Sequence, residues 1–457
     1  MVAAAPFQGL RFDPAVVGDP GKVIAPPYDV ITPEARDAYE AMNPYNVVRL
    51  ILARGDRDDP GRYAQAAKLL SCWRDEGALA LDPLPALYLY EEAYTIRSER
   101  RLQRGVLASV TLDDSGEVIL PHEGTMLAPV ADRLRLLEAT RANLSPIFGV
   151  YAAGGRGTAA LDHVTGTDPA VDTVDEVGVG HRLWPVTDRA TVSHWCELLA
   201  HQDVLIADGH HRYRTALAYR DAMRRAVPNG GRAALNGGPA PWDQTMMLLV
   251  DIDQEGPTVL AIHRLLADLP PETVLAGLAQ DFEVRELRPA GAQAAGARGA
   301  GARAASGASE LEAEVERQPR GTIAFGLYGG GRSWLLVARD PAELAARTGL
   351  DHPPLDVEVL HGPALSGLLG VRDPERQVVY SGDLGHARAQ VDQGAFASLL
   401  VLRPAPFPAV VEIAQRGRIL PPKTTFFYPK PRDGLVLRPL DPEAFGAPAD
   451  PAEPAAP

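Results

Sequence analysis

Residues 204–219 read VLIADGHHRYRTALAY and place His210, His211 and Arg212 directly after an Asp-Gly pair. Imidazole and guanidinium groups bind anions, and an Arg side chain can hold a phosphate through two parallel hydrogen bonds. The run that ends at Asp208 is short, apolar and β-branched, whereas apolar residues recur at helical intervals after it. The stretch therefore predicts a buried strand, a tight turn and a helix whose first turn carries the active side chains.

This arrangement favours a phosphate site, because the first N–H groups of a helix and the helix dipole both attract negative charge. Gly209 either lets a ligand approach the backbone or supplies a positive φ. An exposed Arg212 would contribute to binding and little to stability. Two other interpretations stay open: Asp208 is only the N-cap of the helix, or the adjacent histidines bind a metal. Because adjacent histidines rarely bind one ion and no His-Glu-x-x-His spacing occurs, phosphate ranks above metal.

The composition is that of a globular protein with an acidic surface. Among 457 residues, 45 Lys and Arg stand against 59 Asp and Glu, a net charge of −14 that disfavours nucleic acid or an anionic membrane as the main partner. No stretch approaches the ~20 apolar residues of a membrane span, and no signal peptide is visible. Cys72 and Cys196 are typical of small buried thiols. We expect a cytoplasmic protein with neither nucleic-acid nor membrane partners, whose oligomeric state the sequence leaves open.

The length predicts two or three domains, and interleaved strand-like and helix-like segments favour a mixed α/β (α+β) fold. One of the predicted strands is VVRLIL at 47–52. The predicted organisation is an N-terminal α/β domain (1–155), a middle block with the DGHHR stretch (156–288), a low-complexity Ala/Gly/Arg insertion (289–310), a C-terminal α/β block (311–446) and a disordered tail (447–457).

Two further segments supply candidate substrate contacts. In APPYDVITPE (25–34), Thr32 and Pro33 mark a helix start, and the prolines before it stiffen a loop that presents Tyr28 and Asp29. This loop is either an edge of the substrate site or a packed turn. Asn46 comes just ahead of the predicted strand at 47–52 and is a third candidate contact.

The segment PHEGT brings His122 and Glu123 together after a strand-like run. Glu123 is a candidate general base that deprotonates a hydroxyl acceptor, a role for which Asp208 is the other candidate. His122 is a candidate substrate contact. In LPPKTTFFYPKP, Lys423 and Tyr428 lie between prolines. They form either a stiff edge strand or a clamp over a phosphorylated ligand, with Lys423 as a point charge and Tyr428 as a substrate contact.

The segment IADGHHRYRTAL (206–217) resembles the Asp-Gly-His-His-Arg element of the ParB/sulfiredoxin-like superfamily, most closely that of free serine kinases. Over nearly its whole length the chain is similar to family 1015 of domains of unknown function. This second similarity is carried by APPYDVITPE (25–34), NPYNVVRLIL (43–52), the stretch from PHEGT to FGVY (121–151), the segment 206–217 and LPPKTTFFYPKPRDGLVL (420–437).

The first resemblance implies that Gly209, His210, His211 and Arg212 hold nucleotide phosphates, and that residues 156–288 form a ParB/sulfiredoxin-like block. The second sets a pattern from which this chain departs. A basic residue often stands at position 124 and Lys at position 130, where this chain has Gly124 and Val130. If those cations meet phosphate in the family, the departures imply an altered substrate or weakened activity.

The chain contains no P-loop, no dinucleotide fingerprint and no nucleophile elbow, so the enzyme classes built on those motifs are poorly supported. We predict a nucleotide-dependent phosphotransferase that acts on a small hydroxylated metabolite such as serine, with ATP or ADP and Mg²⁺ as cofactors and with Lys423 as a further nucleotide contact. One alternative is a regulatory protein that binds nucleotide without turnover. The other is a metal-dependent hydrolase that uses His122, His210 and His211.

Overall fold

The computed structural model describes residues 1–55, 59–226, 239–254, 256–287, 310–350 and 353–441. The chain divides into two compact units. Unit 1 contains Met1–Pro121, Thr125–Pro257 and Pro429–Pro457, and unit 2 contains His122–Gly124 and Thr258–Tyr428. Each unit therefore combines segments that are distant in the sequence.

Unit 1 is built on a mixed nine-stranded sheet. Its strand order is Ile119–Leu120, Val204–Asp208, Ile147–Tyr151, Gln244–Asp251, Glu99–Thr111, Leu87–Ile96, Gly180–Val186 and Val171–Val174, and Ala4–Ala5 also pairs with Glu99–Thr111. Two small sheets pair Leu10–Phe12 with Leu79–Leu81 and Ala142–Asn143 with Arg438–Pro439. Central strands such as Gln244–Asp251 are buried almost throughout, as expected where helices or loops cover both faces.

The helices of unit 1 pack around this sheet and form further apolar clusters. The α-helices are Pro14–Val17, Pro33–Met42, Val48–Ile51, Gly61–Asp75, Leu127–Thr140, Arg156–Ala159, Arg189–Ala200 and His210–Ala226, with short 3₁₀ turns at Pro20–Lys22, Tyr28–Val30, Asp162–Gly166 and Pro241–Asp243. The helix start predicted at Thr32 is confirmed, because its Oγ1 accepts the Ala35 N–H at 3.2 Å and Pro33 is the first helical residue.

Unit 2 contains a six-stranded antiparallel sheet. Its order is Phe282–Leu287, Arg332–Ala338, Ala324–Gly329, Ser398–Val401, His263–Leu266 and Val378–Ser381, and Thr258–Leu260 pairs separately with Phe426–Tyr428. The helices are Pro271–Leu278, 310–316, Pro341–Thr348, Asp356–Val359, Pro374–Gln377, Leu384–Asp392 and Phe407–Gln415, with a π-helical segment at Leu360–Leu368. Neighbouring residues Leu335 and Leu336 belong to different apolar clusters, so both faces of the sheet are covered.

The mixed α/β class is confirmed, but the predicted boundary at 155/156 does not coincide with a boundary of the structure. The strand Ile147–Tyr151 pairs with Val204–Asp208 on one side and with Gln244–Asp251 on the other. Residues on both sides of position 155 therefore share one sheet. Gly154 and Gly155 have φ values of 65° and 80° and form a turn inside unit 1. Residues 289–309 and the tail 447–457 lie outside the described residues.

The prediction of a strand at 47–52 is wrong, because Val48–Ile51 forms a helical turn. Asn46 Oδ1 accepts the Val48 N–H at 3.0 Å and so begins that turn. Val47, Val48, Leu50 and Ile51 are all fully buried. A short apolar run that is buried all round has the same pattern in a strand and in a helix, and this ambiguity explains the error.

In the described part of the chain, no helix combines the length and the apolar character that crossing a membrane requires.

Candidate functional site

The strand–turn–helix predicted at residues 204–219 is confirmed. Val204–Asp208 is a strand of the large sheet in unit 1, and the helix His210–Ala226 begins two residues after its end. Gly209 between them has a φ of 94°, a conformation that favours glycine. Its carbonyl accepts the Tyr213 N–H at 2.9 Å, so the helical ladder starts at the turn itself. A helix leaves the N–H groups of its first turn without intrahelical partners, here at the end of a buried strand.

Asp208 lies between two cations. Lys430 Nζ is 2.5 Å from Asp208 Oδ1, and the Arg212 guanidinium donates to Oδ2 of the same carboxylate. The side chains of both cations are only 9% exposed. Burial lowers the pKa of Lys430, but the negative charges of Asp208 and Asp29 outweigh it and the net shift is upward. Both cations therefore remain charged beside the Gly209 turn.

Arg212 is not the exposed guanidinium that the sequence suggested. It folds under the turn, where it donates to the Pro146 carbonyl as well as to Asp208. A β-carbon on Gly209 would lie 3.0 Å from Arg212 Nε, closer than normal packing allows. Glycine thus suits this position by its positive φ, and a β-carbon there would also require the guanidinium to shift. Arg212 supports the turn from inside the protein.

The loop with Tyr28 and Asp29 contributes to the same charged cluster. Tyr28 is half-buried, and the Arg133 guanidinium lies 4.2 Å from the centre of its ring. Burial raises the pKa of the Tyr28 phenol, and the nearby charge of Asp29 adds to that shift. Arg212 is close enough to oppose it. The neighbouring Asp29 is exposed, so the cluster has a carboxylate at its surface.

Asp433 is a member of this cluster that the sequence analysis missed. It is fully buried, and its Oδ2 accepts the Ser145 hydroxyl at 2.6 Å. Its Oδ1 is also buried and has no hydrogen-bond partner among the described residues. Burial raises the pKa of Asp433 to about 7 against the opposing effects of Arg212 and the Ser145 hydrogen bond, and the charges of Asp29 and Asp208 add to the increase. A proton on this carboxyl group removes one negative charge from the cluster.

Lys430 and Asp433 come from one short segment, PKPRDG at 429–434, that follows the predicted clamp residues Lys423 and Tyr428. Three charges within four residues next to prolines are the signal in the sequence that could have added Asp433 to the candidates. Arg133, whose guanidinium lies over the Tyr28 ring, is 8% exposed and donates to the Ile51 carbonyl at 2.6 Å.

The two histidines of the turn, His210 and His211, lie against other groups of the protein. His210 is buried, and His211 is half-buried with Nε2 accepting the Met126 N–H at 3.0 Å. The ring proton of a neutral His211 is therefore on Nδ1. In the described ranges, no group of three or more His, Cys, Asp or Glu side chains is placed to hold a metal ion, and His122, His210 and His211 form no such group.

Asn46 is not placed to contact a substrate. It is fully buried, and its Nδ2 donates to the carbonyls of Lys22 at 2.8 Å and of Ile24 at 3.1 Å. Its Oδ1 is occupied by the Val48 N–H. The amide therefore ties the backbone at 22–24 to the start of the helical turn Val48–Ile51, and its hydrogen bonds go to the protein backbone.

The other predicted residues belong to unit 2. His122 is fully buried with Nε2 2.9 Å from the Thr425 hydroxyl, so the prediction that it contacts substrate is not supported. Glu123 Oε1 accepts the Thr424 N–H at 3.2 Å. Lys423 is exposed and has a φ of 58°, and Tyr428 is half-buried at the end of a short strand. The two candidate bases, Asp208 and Glu123, thus belong to different units.

Several solved structures show a distant similarity to this chain. A free serine kinase in complex with AMP is 16% identical, with 71% of this chain and 86% of the other covered and a TM-score of 0.34. A conserved hypothetical protein from Pyrococcus furiosus is 16% identical (74% and 96% covered, TM-score 0.34), and C-terminally truncated SbnI from Staphylococcus aureus is 10% identical (75% and 90% covered, TM-score 0.35). At these TM-scores the similarity does not establish a common fold.

No curated protein matches the chain in sequence. A family profile does match: the one described as a protein of unknown function, DUF1015, aligns with residues 4–358. This alignment covers more than three quarters of the chain and spans the Gly209 turn and the Tyr28 loop. The chain belongs to the DUF1015 family.

Proposed function

We propose that the protein is a nucleotide-dependent phosphotransferase that transfers a phosphoryl group to a small hydroxylated metabolite such as serine, with ATP or ADP as the nucleotide. The observation that carries this proposal is the Gly209 turn, which opens a long helix beside two buried cations that share Asp208. Backbone N–H groups at a helix start and neighbouring ammonium and guanidinium groups are the donors that phosphates require.

In this proposal the N–H groups of the first helical turn receive the phosphate oxygens, and Lys430 supplies a positive charge beside them. Arg212 holds the turn in shape through Asp208 and the Pro146 carbonyl. Asp29 is the carboxylate of the cluster that is exposed and so available to Mg²⁺, which typically binds proteins through one or two carboxylates and takes its other ligands from water and phosphate. When bound, Mg²⁺ neutralises phosphate charge.

Asp208, which belongs to the same unit as the Gly209 turn, is the general base in this proposal. Both oxygens of Asp208 already accept hydrogen bonds from cations. Asp208 can therefore take a proton only when Lys430 or Arg212 moves away from it. Lys430 is the candidate to move, because its flexible ammonium is a point charge that can transfer from the carboxylate to a bound phosphate. Movement of Lys430 would free Oδ1 of Asp208 when nucleotide is present.

A second function, nucleotide binding without turnover, is favoured by the same observation. If Lys430 stays on Asp208 after nucleotide binds, this carboxylate is occupied on both oxygens and does not act as a base. The protein would then act as a nucleotide-binding regulatory protein.

Calorimetry with ATP and with ADP, followed by a test for phosphoserine formation from nucleotide, serine and Mg²⁺, distinguishes the two functions. We expect nucleotide binding and phosphoserine, and binding without product over long incubation would favour the regulatory protein. In Lys430→Met, which keeps the length of the side chain, we expect nucleotide affinity to fall by roughly 1.5–3 kcal/mol, about 10- to 150-fold. Arg214→Ala, an exposed cation on the same helix, is the matched control and should bind normally. Absence of nucleotide binding in the wild type would exclude both functions.

A further inference from the structure

Unit 2 contains a cavity of about 890 Å³ beside the π-helical segment Leu360–Leu368. Small-molecule sites in proteins usually measure about 300–1,000 Å³ and combine an apolar lining with a few placed polar groups. Here the apolar part includes Leu368, Ile419 and Leu420, and His361 supplies a polar group. The cavity therefore has the size and the mixed lining of a site for a small molecule with one polar end.

His361 lines this cavity and carries a neutral imidazole ring. Its Nε2 accepts a hydrogen bond from Arg264 Nε at 3.2 Å, so the ring proton is on Nδ1. Burial and the neighbouring Arg264 charge lower the pKa of His361 to about 3, which keeps the ring neutral near pH 7. The ring lies nearly parallel to that of Tyr380, at an angle of 7°, and remains partly exposed at the cavity. Its orientation is thus set by two neighbours on the protein side.

Arg264 places a positive charge behind His361. It is 1% exposed, and its hydrogen bonds go to the carbonyls of Ile262 and Lys423 and to His361. These three acceptors are neutral groups, although Glu123 is near enough to act on Arg264 electrostatically. Burial lowers the pKa of Arg264 to about 10, so it is still a cation at neutral pH. A hydrogen bond from a cation polarises the next group in the chain and strengthens the bond that Nδ1–H can donate.

The backbone at His361 is unusual. A π-helical turn is rare, and such turns occur frequently at functional sites. Here the Ser366 hydroxyl donates to the His361 carbonyl at 2.9 Å, five residues back, and Pro363 within the segment has no N–H to donate. This widened turn carries His361, which accepts a hydrogen bond from Arg264 and lines the cavity.

We propose that this cavity binds a small aliphatic carboxylate. One carboxylate oxygen accepts the His361 Nδ1–H, and the hydrocarbon chain packs on Leu368, Ile419 and Leu420. Two charged residues also line the cavity. Arg347 is already paired with Asp281 at 3.0 Å and Glu343 at 2.6 Å, and Glu358 would repel an anion. His361 therefore supplies the hydrogen-bond donor for the carboxylate. This site is independent of the phosphotransferase proposal.

Titration of the full-length protein with hexanoate, followed by calorimetry or ligand-observed NMR, tests the proposal. We expect hexanoate to bind at least tenfold more tightly than either hexan-1-ol, which lacks the carboxylate, or acetate, which lacks the chain. In His361→Gln, the new side-chain oxygen can still accept from Arg264 while the donor at the position of Nδ1 is lost. We expect this variant to fold and to bind hexanoate at least tenfold more weakly.

Ile419 gives a second test that does not disturb Arg264, because this side chain is 53% exposed at the cavity. Ile419→Asp and Ile419→Asn remove the same apolar surface, and only the first adds a negative charge. We expect hexanoate affinity to fall at least fivefold further in the Asp variant than in the Asn variant. Equal binding of hexanoate and hexan-1-ol, or equal affinities in the Asp and Asn variants, would overturn the carboxylate site.

Discussion

Lys430 Nζ lies 2.5 Å from Asp208 Oδ1, although the two residues are 222 positions apart in the sequence. The same short segment sends Arg432 to Asp175 and Asp433 to Ser145. Three charged side chains from residues 430–433 thus bind three separate parts of unit 1. This short segment therefore belongs to unit 1, where Lys430 completes the charged cluster at the Gly209 turn.

Replacement of Arg212 by Ala should destabilise the protein. The substitution removes a buried partner of Asp208 and leaves the Pro146 carbonyl without its donor. Breaking a buried ion pair costs about 3–5 kcal/mol, and because Lys430 still neutralises Asp208 we expect about 3 kcal/mol, measured by urea unfolding. The exposed neighbour Arg214→Ala should change the free energy of unfolding by less than about 0.5 kcal/mol. Equal stabilities of the two variants would show that Arg212 does not support the turn.

Replacement of Gly209 by Ala should cost more than backbone strain alone. Gly209 and Gly178 have similar φ values, 94° and 86°, but only at Gly209 would the new β-carbon meet another group, the Arg212 guanidinium. We expect about 1–3 kcal/mol of destabilisation for Gly178→Ala and a larger loss for Gly209→Ala. If thermal or urea unfolding gives the same loss of stability for Gly178→Ala and Gly209→Ala, the Arg212 guanidinium can move aside at no cost.

The contribution of Asp433 to the free energy of unfolding should decrease as the pH rises from about 4 to about 7. Its pKa is raised from 3.8 to about 7 in the folded protein, so the folded state holds a proton that the unfolded chain has lost in this interval. The decrease is about 4 kcal/mol at most, since one unit of pKa corresponds to about 1.36 kcal/mol. Asp433→Asn mimics the protonated acid and should remove this part of the pH dependence.

Urea unfolding of wild type and Asp433→Asn at pH 4.5, 6 and 7.5 measures the effect. The variant should gain relative stability with each increase in pH, whereas Asp168→Asn, at an exposed position, should follow the wild type. Parallel curves for the wild type and Asp433→Asn would contradict the raised pKa.

Replacement of Asn46 by Ala should lower stability without a direct effect on nucleotide binding. Its amide makes three hydrogen bonds to backbone groups, two of them to the carbonyls of Lys22 and Ile24. Their loss should cost about 2–3 kcal/mol, because buried backbone groups are left without partners. Asn46→Asp keeps an acceptor for the Val48 N–H and should still lose the two donated bonds. A folded Asn46→Ala protein with weakened nucleotide affinity would restore Asn46 as a contact of the site.

The sequence alone determined the strand, turn and helix at residues 204–226 and the helix start at Thr32. These features depend on local information: apolar periodicity, a glycine where φ is positive, and a side chain that caps the next turn. Neighbouring residues supply all of it, so the pattern is visible without the fold. The same local reasoning failed at 47–52, where a fully buried helical turn carries the apolar run expected of a strand.

The tertiary structure decided which charges meet. Lys430 and Asp433 join Asp208 and Arg212 only because the chain returns to unit 1 at residue 429, and no spacing in the sequence encodes a contact across more than 200 residues. Packing also decided burial: it placed Arg212 inside the protein and used every polar atom of the Asn46 side chain for backbone hydrogen bonds. Residue type predicts what a side chain can bind, but the surrounding packing determines whether it is free to do so.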